Sequence, residues 1–259
     1  MSDKGTKKKL TRVEDEGTQP VNQTPPQETK PFVASDESKA QAKKLRIIAV
    51  ISWVIAIALE VVAIILIRKP PITTAIMVWL IVLIVLDLIF AVIGSLMWKK
   101  SNRYDPASEK DKFRFFVQNQ LGAIVSMIAF LPLVILIFTN KNMSGKQKGI
   151  AGVIGIVALL AAGFLGIDFN PPSQEDYTQK TEQVKELNQG NDFVYWTKSG
   201  KHYHLYQDCP YINTTKTDEI FQGTVVQARE KNIDDLCSYC EKRAIKEKNP
   251  DIPKTDTAQ

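Results

Sequence analysis

With 259 residues, 44% of them hydrophobic, and a net charge of +5, the chain has the averages of a soluble protein. The averages hide a segregation: apolar residues are concentrated between Arg46 and Asp168, and both ends are hydrophilic. Lys/Arg against Asp/Glu run nine to seven over residues 1–45, twelve to six over 46–168 and twelve to fifteen over 169–259. The positive excess therefore lies between apolar runs, where anionic lipid headgroups are the natural partner. The slightly acidic C-terminal part argues against nucleic acid, whose binders carry a basic face on the folded part.

Residues 1–44, which include "KGTKKKLTRVEDEGTQPVNQTPPQETKP", hold few apolar side chains, several prolines and mixed charge. Such a segment buries too little surface to offset its ordering entropy, so a disordered cytoplasmic tail is expected. A transmembrane domain over 45–168 follows. Crossing a hydrocarbon core of roughly 30 Å takes about 20 apolar residues as helix, and four segments qualify, at about 46–67, 72–98, 119–139 and 149–167. Their apolar runs have no polar stripe, unlike the helices of a soluble core. The first lacks a small-residue cleavage site, which sets it apart from a removable signal peptide.

Orientation follows from Lys and Arg near the span ends. Lys30, Lys39, Lys43, Lys44 and Arg46 precede the first span, and Lys99, Lys100, Arg103, Lys110, Lys112 and Arg114 lie between the second and third. The other side receives Arg68, Lys69, Lys141, Lys146 and Lys148. Eleven against five places both termini in the cytoplasm. The exit from the fourth span has no basic residue until Lys180, so the side of the tail rests on the even span count.

Inside the spans, Ala158, Ala162 and Gly166 form a small-residue ridge that admits a neighbouring helix, and Pro132 predicts a kink. Two acids, Glu60 and Asp87, lie at depth, where an ionisable group faces the bundle interior or water. Counted from the outer ends of their spans they sit roughly 10 Å and 22 Å deep at 1.5 Å per residue. No basic residue lies within any span to pair with them. Packing polarity or a protonated acid is one reading of the two, and an ion or proton pathway is the other.

After a polar spacer over 169–190, with Tyr177, Val184 and Leu187 as its apolar points, the pattern turns to alternation. "FVYWT" and "HYHLY" joined by "KSGK" predict a β-hairpin with His202 and His204 on one face. A helix from Thr224 is expected over "TVVQAREKN", and a last helix opens at "LCSYC". This module, over 191–248, contains every cysteine and histidine of the chain and precedes a short disordered tail over 249–259. H-x4-C followed, after a gap of 27 residues, by C-x2-C gives two close pairs able to close a tetrahedron around Zn²⁺. The predicted ligands are His204, Cys209, Cys237 and Cys240, with His202 as the competing imidazole. The zinc is expected to be structural, since about 55 residues make an insecure core and zinc binding is worth about 10–16 kcal/mol in finger peptides. Three cysteines do not pair evenly in disulfides, and a reducing compartment disfavours them. "CSYC" also lacks the βαβ surroundings of a thioredoxin-like motif.

The stretch "VYWTKSGKHYHLYQDCPYI" with the closing "LCSYC" resembles small metal-binding modules with a V-Y-x-T-x-x-G-x-x-Y-H opening and a C-x2-C close, found on various bacterial membrane and secreted proteins. The whole arrangement resembles uncharacterised multi-pass membrane proteins of Gram-positive bacteria. The resemblance implies a bacterial plasma membrane and brings no activity with it.

No HExxH, Walker or GxGxxG pattern is present, and Glu241, beside Cys240, reads as a solvated helix carboxylate rather than a general base. The expectation is an all-α four-span bundle carrying a small C-terminal α+β zinc module. Its expected function is that of a membrane-anchored, non-enzymatic binding or regulatory protein with a protein partner at the module. The alternative is a small transporter or channel using Glu60 and Asp87, with the module as a regulatory cap.

Overall fold

In the computed structural model, which describes residues 8–13 and 32–249, the chain divides into two compact units. One spans 33–173 and consists of four helices: α1 (Asp36–Arg68), α2 (Thr74–Tyr104), α3 (Lys112–Thr139) and α4 (Gly145–Gly166). All four are long and apolar enough to cross a membrane. Each begins on a capping side chain: Ser35, Thr73, Asp111 and Ser144 accept the amides of Ser38, Ile76, Arg114 and Gln147. These caps satisfy donors that the first turn cannot pair internally.

The helices outrun the apolar runs at one end of the bundle, which collects the polar termini. There Arg46 donates to a carboxylate oxygen of Asp105 at 2.9 Å, Trp98 to the Gln118 carbonyl at 2.7 Å, and Lys99 to the Ile167 carbonyl at 3.0 Å. The opposite end is tied by Asn140 donating to the Ile67 carbonyl at 2.6 Å and Gln147 to that of Ile72 at 3.0 Å. The two Lys/Arg-rich segments assigned to one side by their charge thus lie at the same end.

Packing inside this unit inverts the soluble pattern. Buried positions are small, with Ala49, Ala56, Ala63, Ala91, Ala129, Ala151 and Ala162 at 0 or 1% exposure. Val54, Trp79, Met127 and Leu160 point outward and are each at least 60% exposed. The ridge of α4 is buried at Ala158, Ala162 and Gly166, and it extends back through Ala151, Gly152 and Gly155. A Cβ at Gly166 would stand 2.6 Å from the Ala123 backbone nitrogen, so α3 and α4 touch backbone to backbone there. Hydroxyls within the helices satisfy themselves: Ser52, Ser95 and Ser126 donate to the carbonyls of Ile48, Ala91 and Gly122.

The other unit comprises residues up to Phe32 and those from Gln174 onward. It holds α5 (Gln174–Leu187), β2 (Phe193–Trp196), β3 (His202–Tyr203), β4 (Glu219–Thr224), α6 (Val225–Glu230), β5 (Asp235–Leu236) and α7 (Ser238–Lys248), and one strand from the other end of the chain, β1 (Lys9–Arg12). β4 is central, antiparallel to β2 and parallel to β1, and β3 pairs with β5.

Three expectations change here. Within the segment read as disordered, Lys9–Arg12 is a strand and helix begins at Asp36; residues 1–7 and 14–31 of that tail lie outside the described residues, as do 250–259. The supposed spacer is, from Gln174, a helix of the module, with Tyr177 and Val184 fully buried. An arginine that the sequence left unremarked holds it: Arg229, 3% exposed, pairs with Asp176 and lies 4.4 Å over the Tyr177 ring. The hairpin is reduced to the Tyr195–His204 pair, and β2 takes β4 as its main partner.

Filling a backbone-to-backbone contact strains a packed bundle by about 1–3 kcal/mol. Gly166→Leu should therefore lower the unfolding midpoint in detergent, read by circular dichroism. Gly163→Leu, three residues away where a Cβ meets nothing within 4 Å, should leave it unchanged.

Candidate metal centre

Three backbone segments deliver the four predicted ligands. His204 follows β3 and is locked to β2 by reciprocal 2.7 Å hydrogen bonds between its backbone and that of Tyr195. Cys209 sits in a tight knuckle, where its amide donates to the Tyr206 carbonyl at 3.2 Å and its carbonyl accepts from Ile212 and Asn213 at 3.1 and 2.8 Å. Cys237 is the N-cap of α7 with its side chain making no capping bond, and its amide donates to the Tyr203 carbonyl at 2.9 Å. Cys240 lies in the first turn of α7. That position suits a thiolate, because a helix N-terminus favours negative charge.

The four donor atoms lie within 4.8 Å of one another, and all four residues are buried. His204 Nδ1 is 3.3 Å from Cys209 Sγ and 3.7 Å from Cys240 Sγ. A tetrahedral ion with metal–sulfur bonds of about 2.3 Å and metal–nitrogen bonds of about 2.0 Å separates its ligands by roughly 3.5–3.8 Å. The two imidazole–thiol distances fall close to that spacing, so the cluster is compatible with a metal site. None of the three cysteines is in a disulfide.

The two histidines part company. β3 ends at Tyr203, so strict alternation stops before His204; His202 is exposed, and His204 turns inward and is 4% exposed. Glu241 accepts a hydrogen bond from Gln183 of α5 at 3.0 Å.

Burial, and then the neighbouring His202, lower the His204 imidazole to about 4, so it is neutral near pH 7 with a lone pair to offer. Burial pushes the Cys240 thiol up to about 12 and raises that of Cys209. Buried thiols raised in this way, as Cys209 and Cys240 are, hold their protons unless a cation replaces them.

Around it the module's core is continuous: Val194, Trp196, Tyr203, Leu205, Ile212, Ile220, Val225 and Leu236 pack in one cluster with the three cysteines. A long, apolar four-helix unit joined to a small Cys/His module is the class that fold and site define. No protein-family model, curated protein or solved structure matches the chain.

The protein should take up one divalent ion per chain, measured by elemental analysis after gel filtration. His204→Ala should weaken uptake by at least about tenfold, and His202→Ala should leave it intact. Because thiols lose protons on binding, apparent affinity should fall as pH is lowered from 8 to 6, as read by competition with a chromophoric chelator.

Proposed function

We propose that this chain is a multi-pass membrane protein whose C-terminal module, stabilised by structural zinc, works as a binding or regulatory element at the cytoplasmic face of a bacterial plasma membrane. The observation that carries the reading is the closed set of four buried donors within 4.8 Å. Three thiolates and one imidazole suit zinc in a tetrahedral, structural role, leaving no protein-free position for water. The hydrogen bond from Gln183 engages Glu241, the carboxylate that follows Cys240, and supports a non-catalytic role. The bacterial membrane follows from the resemblance to Gram-positive multi-pass proteins and their modules.

The pairing of β1 with β4 supports the topology, because a strand from residues 9–12 reaches a sheet built after residue 190 only when both termini share one side. An even number of crossings meets that requirement, and the Lys/Arg-rich end of the bundle favours the cytoplasm and anionic headgroups.

A second reading has its own observation. Trp53 packs onto Gly94 in the α1–α2 seam. Seven residues onward along α1 and seven back along α2, two turns on the same faces, lie Glu60 and Asp87. The pairing offsets the two helix ends and removes the difference in depth expected from the sequence. Glu60 and Asp87 are 5% and 1% exposed, and Glu60 Oε1 and both Asp87 carboxylate oxygens have no hydrogen-bond partner. No Lys, Arg or His lies on the facing lengths of the four helices. Such a pair would serve a small transporter or channel as the point where a proton or cation is held.

The readings part experimentally. Under the first, the purified protein holds zinc, Cys237→Ser with Cys240→Ser removes it together with capture of the module's partner, and Glu60→Gln with Asp87→Asn changes neither. Under the second, proteoliposomes show a proton or cation flux that Glu60→Gln with Asp87→Asn abolishes. Absence of zinc from the protein, with module stability unchanged by chelator, would overturn the first reading.

A further inference from the structure

The side of β4 that faces away from β2 is covered by the chain's own N-terminal segment. β1 runs parallel to it in register from Lys9 opposite Glu219 to Arg12 opposite Gln222. The Lys9 amide donates to the Asp218 carbonyl at 3.3 Å and the Val13 amide to that of Gln222 at 2.8 Å. Side chains add a pattern of cation recognition. Lys8 donates to the Thr214 carbonyl at 2.6 Å, Lys9 pairs with Glu219 at 3.0 Å, the Thr11 hydroxyl donates to the same carboxylate at 2.5 Å, and Arg12 donates to the Gln222 amide oxygen at 3.2 Å.

What β1 lacks is a share in the core. Among the described residues, the buried members of the module's cluster all come from Val184 to Ala244, and from the N-terminal segment only Val13 joins them, partly buried. Leu10 is 37% exposed and the Lys9 side chain 76%. The segment is held by backbone pairing and charge, the means by which an extended peptide joins a sheet edge.

We propose that the outer edge of β4 is a recognition edge for an extended cationic segment of a partner protein, and that Lys8–Val13 is its built-in ligand, occupying the edge until the partner strand displaces it. The inference rests on the reading of the module as a binding element and gives its partner a chemistry: a β-strand with cations at the positions of Lys8, Lys9 and Arg12 and a small apolar residue at that of Val13. A tethered occupant competes at an effective concentration up to the millimolar range. A free ligand therefore sees its affinity reduced by the fraction of edges left open.

The test uses full-length protein in detergent and a fluorescein-labelled peptide, TKKKLTRVED, copied from residues 6–15, with anisotropy as the readout. Alternate β1 amides donate to β4, and Thr11→Pro removes the one between Lys9 and Val13. This variant should bind the peptide at least about tenfold tighter than the wild type. Glu219→Lys on that background should abolish binding, and 0.5 M salt should weaken it. Equal affinity of wild type and Thr11→Pro, no binding by Thr11→Pro, or tight binding indifferent to Glu219→Lys would each overturn the proposal. Amide exchange at Val194 and Trp196 is followed in parallel: retained protection is expected, and its loss in Thr11→Pro would also overturn the proposal by making β1 part of the core. Metal content reports separately on the module, so a failure of peptide binding with the ion retained sinks this inference alone.

Discussion

The C-terminal unit depends on one meeting point, where a histidine after a strand, a cysteine in a knuckle and two cysteines at a helix start bring their donor atoms within 4.8 Å. Without an ion, three buried thiols and a neutral imidazole offer each other little, and their burial is a cost. With one, the same burial becomes an asset, because low polarity strengthens each bond to the cation. The hydrogen bonds from Cys237 to Tyr203 and between His204 and Tyr195 tie α7 and β2 to the same place. α5 in turn packs on α6 and α7.

The membrane-type unit is governed by a different constraint. Where the surroundings are as apolar as the side chains, close approach replaces hydrophobic burial as the source of attraction. Small residues line the seams and bulky ones face outward, so Gly166 lies against the Ala123 backbone and Trp53 against Gly94. The hydroxyls along these seams bond to their own helices. Glu60 and Asp87 stand apart as the polar groups whose oxygens remain unsatisfied deep in the same seam.

Much of this was legible in the sequence, for reasons that differ by element. Four long apolar helices were readable because about twenty apolar residues in a row suit a hydrocarbon core and little else, and the meeting of His204, Cys209, Cys237 and Cys240 because C-x2-C and H-x4-C fix local geometry. The starts of α6 after Thr224 and of α7 after Cys237 followed from local chemistry too. What escaped was non-local. The depth of Asp87 depends on the offset between α1 and α2, which Trp53 and Gly94 set and no single span records. α5 looked like a spacer because its apolar points are few, and its burial rests on Arg229, far along the chain, stacking on Tyr177. β1 sits in a polar, proline-rich context, and the alternation in "KLTRV" gains meaning only opposite Glu219 and Gln222.

That last pairing has a consequence for how the protein is made. Thr11 and Glu219 are 208 positions apart, and at about 5–20 residues per second the ribosome delivers the second roughly 10–40 s after the first. All four long helices are synthesised in that interval. Lys9–Arg12 wait without their partner strand while the four helices are made, and they can dock onto β4 only once Glu219–Thr224 have been synthesised. Closure of the β1–β4 pair is thus a late event in biogenesis, joining segments on either side of the four long helices after those helices have been made.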